Sequence, residues 1–146
     1  MSEMRLLGSY LLTLCIVAMS STAAAGDHPA YITKKEVAGE IFKRPTAKAE
    51  SDGKGTAQDV VTFTSNDKKF LTGMYKAGPE HEEYKSGYEN NEFIYVIDGS
   101  IKLTSVDGTV VVVGPGEAAT IPKGWKGKWD SDGYLKIWTT YDPEAK

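Results

Sequence analysis

The sequence has 146 residues, with 17 Lys and Arg against 20 Asp and Glu, two His and one Cys, and a formal charge of −3. That length allows one ordinary domain and leaves little room for a second. A mildly acidic chain offers no concentration of cations for phosphate backbones, which excludes nucleic acid as the expected partner, and a single Cys excludes an intrachain disulfide.

Arg5 is the only basic residue before Lys34. An apolar run follows it (Leu6, Leu7, Leu11, Leu12, Leu14, Ile16 and Val17), and small residues then lead into Ala23-Ala24-Ala25. A positive start, a short apolar stretch and an Ala-x-Ala site predict a signal peptide over residues 1–25, cleaved after Ala25. Ser9 and Thr13 interrupt the run, which falls short of the roughly 20 residues that span a bilayer. Leu14 before Cys15 is too large for a lipoprotein site. Cleavage would leave 121 residues with no Cys, in the periplasm or outside the cell and free of the membrane.

Residues 26–35 read as a leader and residues 36–43 as a first strand. Residues 44–59, RPTAKAESDGKGTAQD, contain no large apolar side chain and read as a solvated loop. An N-terminal strand and flexible loop over residues 26–59 thus precede a barrel over residues 60–146. Within it, strands are expected over residues 60–64, 70–75, 93–97, 101–104, 110–113, 118–121, 126–129 and 135–141. Residues 110–113 are expected to be buried. Asp107-Gly108 tolerates φ > 0 at both turn positions and predicts a hairpin. Eight or nine short strands with turns every 8–12 residues predict an all-β fold, an antiparallel double-sheet sandwich or barrel. Residues 78–91 hold four Glu, His81, Tyr84 and Tyr88 and read as a polar loop of the kind that carries function.

Two motifs stand out. Glu92 is followed by six residues and then Gly99. Gly116 is followed by five residues, Pro122-Lys123-Gly124, and two residues later Gly127. In this order, with a hairpin between them, they resemble the cupin family, and the resemblance implies a single jelly-roll barrel. The segment PKGWKGKW and the Tyr88…Glu92 spacing resemble the ureidoglycine-aminohydrolase-type and ethanolamine-utilisation cupins. The resemblance covers roughly residues 63–141. It also implies metal-binding histidines, which would fall at Tyr88 and Ser86 (or Gly87 and Lys85) and at Gly127. None of these is His, so the expectation is no cofactor. The alternative is a divalent metal held by His81 and Glu92.

Period-two alternation puts Glu92 on one face with Ile94 and Val96. A carboxylate facing a barrel interior must be hydrogen-bonded or shift its pKa. Glu92 is read as an acid/base group or ligand anchor, or else as a structural carboxylate. Tyr88 is its expected partner, either catalytic or packed in the core. Trp125, Trp129 and Trp138 supply flat surfaces for a ligand or for the core, with Trp129 and Trp138 expected on adjacent strands. Ser86, Tyr75 and Lys126 complete the expected ligand-binding set. The expected ligand is a small polar metabolite, a sugar or small carboxylate. The alternatives are an enzyme using Glu92 and Tyr88 (an isomerase, epimerase or hydrolase), or a homodimer formed through the N-terminal strand.

Overall fold

The structure, a computed structural model, describes residues 28–50 and 57–145. The expected signal peptide lies outside the described residues. Helix α1 (Lys34–Val37) and a 3-10 turn (Glu40–Lys43) are followed by ten strands: β1 (Lys48–Glu50), β2 (Ala57–Thr64), β3 (Phe70–Ala77), β4 (Glu80–Tyr84), β5 (Asn91–Gly99), β6 (Ile101–Ser105), β7 (Val110–Val113), β8 (Ala118–Ile121), β9 (Gly127–Ser131) and β10 (Tyr134–Tyr141). They form a six-stranded sheet, ordered β1-β2-β3-β10-β5-β8, and a four-stranded sheet, ordered β4-β9-β6-β7. Every pairing is antiparallel. This is the all-β jelly roll expected from the motifs. Among the described residues no helix is long and apolar enough to cross a membrane.

Alternation along the strands makes two cores. Ile94 and Val96 of β5, Tyr134 and Trp138 of β10, Ile101 and Leu103 of β6, and Trp129 of β9 fill the space between the sheets. The opposite face of the six-stranded sheet presents Val60, Met74, Leu135 and Ile137, and Ile41 and Phe42 cover them. Here the sequence reading is corrected. Residues 36–43 are helical, not a strand, because Thr33 and Glu36 form a capping box and Gly39, at φ 110°, turns the chain into the 3-10 turn. Ile41 and Phe42 are buried on the protein's own sheet, so this segment is not a free strand for a second copy.

Three other expectations change. Residues 48–50, placed in a loop, pair with β2. Residues 80–84, also placed in a loop, form β4 at the edge of the four-stranded sheet, with His81 opposite Asp130 and Tyr84 opposite Gly127. A charged strand at an edge hides its strand character from a hydrophobic pattern and discourages further pairing. In β7 only Val113 is buried, while Val110, Val111 and Val112 are exposed. β7 is also an edge strand, so four consecutive Val do not signify burial on both faces.

The motif glycines have steric reasons. Gly99, Gly116 and Gly124 all have positive φ, between 72° and 84°. At Gly99 a Cβ would lie 2.0 Å from the Gly133 carbonyl oxygen, where β5 passes the start of β10. Gly99→Ala combines left-handed strain with a backbone overlap and should cost about 2 kcal/mol or more. A urea midpoint unchanged from wild type would refute this.

Candidate functional site

Residues of β2, β3, β4, β5, β9 and β10 line an open cavity of about 410 Å³. Its chemistry centres on Glu92, the second residue of β5. Glu92 is 5% exposed, and so is Lys136 on the neighbouring strand β10. Lys136 Nζ donates to Glu92 Oε1 at 2.8 Å. Tyr88 donates its hydroxyl proton to the other oxygen, Oε2. Both carboxylate oxygens are therefore engaged, one by a cation and one by a phenol. Buried carboxylates require such partners.

Local structure explains how Tyr88 reaches Glu92. Residues 85–90 leave β4 and return to β5 through Gly87, at φ 102°. The Tyr88 amide donates to the Trp125 carbonyl, and the Gly124 amide donates to the Tyr88 carbonyl, each at 2.8 Å. The second motif thus holds the backbone of Tyr88. Its ring stacks on Trp129, with centroids 6.3 Å apart and planes 5° apart. Trp125 meets Tyr88 edge-on and donates Nε1–H to Ser105 Oγ.

Lys136 lies in an aromatic cage. Its Nζ is 4.7 Å from the ring centroid of Trp129, 5.5 Å from Tyr75 and 5.7 Å from Tyr134. Each ring presents its negative face to the ammonium. Two further carboxylates line the cavity. Glu80 Oε2 accepts from the Tyr134 hydroxyl at 2.6 Å, and Asp59 Oδ1 accepts from Trp138 Nε1 at 2.9 Å. The lining thus contains three carboxylates and one ammonium. Trp129 is 2% exposed, and its Nε1 finds no hydrogen-bond partner among the described residues.

Of the residues singled out from sequence, Tyr75, Tyr88, Glu92, Trp129 and Trp138 line this cavity. Trp129 and Trp138 do so from opposite sheets, on β9 and β10, not from adjacent strands as expected. Trp125, Ser86 and Lys126 do not line it. Trp125 props Tyr88 from behind, and Ser86 is exposed. Lys126 is exposed too and borders a separate cavity with Thr104 and Lys128. His81 is on the solvent side of β4, where Nδ1 pairs with Asp130 Oδ1 at 2.9 Å. Sequence reading missed Lys136, Glu80, Asp59 and Tyr134. The signal for Lys136 was its period-two spacing from Trp138, which put both on one face of β10.

The residues present do not fit a cupin-type metal. Among the described residues no group of three or more His, Cys, Asp and Glu converges. Glu92 holds the Lys136 ammonium at 2.8 Å, and a second cation there would meet direct repulsion. His81, the alternative ligand, is held by Asp130 on the outer surface.

The phenols report the field in the cavity. Burial, followed by the charges of Glu80, Glu82, Glu92 and Glu89, raises the Tyr84 pKa from 10.0 to about 12. Burial raises Tyr88 further, helped by the Glu92 charge and the hydrogen bond to it. Burial and Glu80 do the same for Tyr134. All three are neutral hydrogen-bond donors at physiological pH. Because their folded values are raised, their contribution to stability is complete below the unfolded value near 10 and is lost as the pH rises above it toward the folded values. Absorbance titration should find these three un-ionised at about pH 11 in the folded protein, with the Tm falling steeply above pH 10. Ionisation of all folded-state tyrosines near pH 10 would contradict the buried network.

Comparison with known proteins agrees with this architecture. The EutQ-like cupin domain family matches residues 64–136, half of the chain. The EutQ protein of Clostridium difficile has a TM-score of 0.51 at 23% identity, over 66% of this chain and 77% of that one. A protein of unknown function from Rhizobium leguminosarum bv. viciae 3841 has a TM-score of 0.53 at 21% identity, over 76% of this chain and 97% of that one. A DUF861-family protein from Pseudomonas syringae pv. tomato has a TM-score of 0.54 at 17% identity, over 57% of this chain and 36% of that one. At these identities the structural likeness bears on the fold. No curated protein matches the chain. With both motifs in register, the jelly-roll topology in place and half the sequence matched, the chain belongs to the EutQ-like cupin family.

Proposed function

We propose that this protein is an exported, metal-independent cupin that binds a small polar metabolite in its barrel. The observation that supports the reading best is the Tyr88–Glu92–Lys136 chain, buried at the wall of a cavity of about 410 Å³. That volume suits a molecule of sugar size. Aromatic side chains flank the polar groups. Of the two expected ligand classes, a hydroxyl-rich sugar suits a lining with three carboxylates better than a small carboxylate does. Export rests on the signal sequence of residues 1–25.

Thermal-shift titration of the chelated protein with a panel of neutral hexoses, small carboxylates and small organic ammonium compounds tests the reading. At least one should raise the Tm of wild type, and Glu92→Gln should remove most of that rise. An equal rise in wild type and Glu92→Gln would take the site away from Glu92.

The same hydrogen-bonded chain favours a second reading, in which the site catalyses a proton transfer. Glu92 would accept a proton, while Tyr88 and Lys136 stand as donors on either side. Turnover that survives exhaustive chelation but is lost in Tyr88→Phe would support it. The aminohydrolase type of chemistry depends on a metal that this donor set does not fit.

A further inference from the structure

We propose that the ligand of this cavity is a small organic cation, a molecule that carries an ammonium group. The proposal rests on the binding reading above and puts an ammonium compound in place of the neutral sugar favoured there. Two independent observations carry it.

The first is a carboxylate outside the Glu92–Lys136 pair. Glu92 and Lys136 neutralise one another at 2.8 Å. Glu80 is different. It lines the same cavity, and its hydrogen bond comes from a neutral phenol, Tyr134. No ion pair to Glu80 occurs among the described residues. A carboxylate stabilised only by neutral donors leaves its full charge to act on whatever enters, and a partly enclosed, low-dielectric space strengthens that action. The raised pKa of Tyr84, to which Glu80 contributes first among the charges, reports the same field.

The second is the aromatic lining. The cage of Trp129, Tyr75 and Tyr134 already holds one ammonium, that of Lys136, at cation–π distances of 4.7 to 5.7 Å. Tyr84, Tyr88 and Trp138 add further aromatic side chains to the lining, beside Glu80. Aromatic faces beside a carboxylate recognise organic ammonium groups. An anionic ligand would face the Glu80 charge.

The test is calorimetric titration of the full mature protein with four probes at neutral pH: choline, its uncharged carbon analogue 3,3-dimethylbutan-1-ol, the anion 3,3-dimethylbutanoate, and D-glucose. Choline should bind at least about tenfold more tightly than its uncharged analogue, and the anion should not bind measurably. Glu80→Gln keeps an acceptor for Tyr134 while removing the charge. It should weaken choline by about tenfold and leave the uncharged alcohol unchanged. Equal affinity for choline and the alcohol, or unchanged choline affinity in Glu80→Gln, would overturn the cation proposal. Binding of glucose or of the anion without choline, lost in Glu92→Gln, would overturn it while leaving the barrel as a binding site. Failure of all four probes would count against both.

Discussion

Lys136→Met should cost about 3–5 kcal/mol of stability, because it leaves Glu92 buried beside Tyr88 with no cation. The prediction follows from the geometry of the pair. Both residues are 5% exposed, and their contact is 2.8 Å. Met fills much of the volume of the lysine but supplies neither a charge nor a hydrogen-bond donor. Adding Glu92→Gln should then recover most of the loss, since the amide still accepts from Tyr88 and carries no charge. A double-mutant cycle in urea reads the coupling directly. A cost below about 1 kcal/mol for Lys136→Met would mean that the pair is effectively solvated, as surface pairs are.

Trp129→Ala carries the second large effect, about 3–5 kcal/mol. Trp129 is 2% exposed and touches both halves of the site, as the stacking partner of Tyr88 and as a face for Lys136. Its removal opens a void and releases both groups. Trp129→Phe separates packing from hydrogen bonding. It keeps an aromatic face for Tyr88 and Lys136 and deletes the unpartnered N–H, so it should cost much less, about 1–2 kcal/mol. Equal stability losses in the two variants would show that the indole N–H is engaged in the folded protein.

The fold was legible in the sequence through its punctuation more than its apolar pattern. Gly99, Gly116 and Gly124 mark positive-φ turns that few other residues tolerate, and their spacing carries the family. Gly108, at φ 87°, closes the β6–β7 hairpin for the same reason, whereas Asp107, expected at positive φ as well, does not adopt it and instead accepts from the Thr109 amide. Edge strands were less legible. β4 reads as an acidic loop because one of its sides faces solvent, and β7 reads as buried because its exposed Val residues sit at an edge. Helix α1 was missed because its evidence is a four-residue cap and not a periodic stripe.

Half of the site followed the same logic. Glu92 and Tyr88 stood out because a motif places a metal-binding carboxylate and a histidine at those positions. Lys136 did not, since a lysine inside a strand is ordinarily a surface residue. Only its inward phase, shared with Tyr134 and Trp138, separates it from Lys102 or Lys128. Glu80 was hidden among neighbouring acidic residues until β4 paired with β9 and turned one of them inward. Contacts between sheets, such as Trp129 of β9 on Tyr88 and Lys136, depend on how the two layers meet, and no local spacing encodes that.

The most direct test of the central claim, that Glu92 holds the Lys136 ammonium in place of a metal ion, is elemental analysis of the protein purified without chelators from its native compartment. We expect transition metal far below one equivalent per chain, with no difference between wild type and Glu92→Gln. One equivalent of bound metal in wild type, absent in Glu92→Gln, would contradict it.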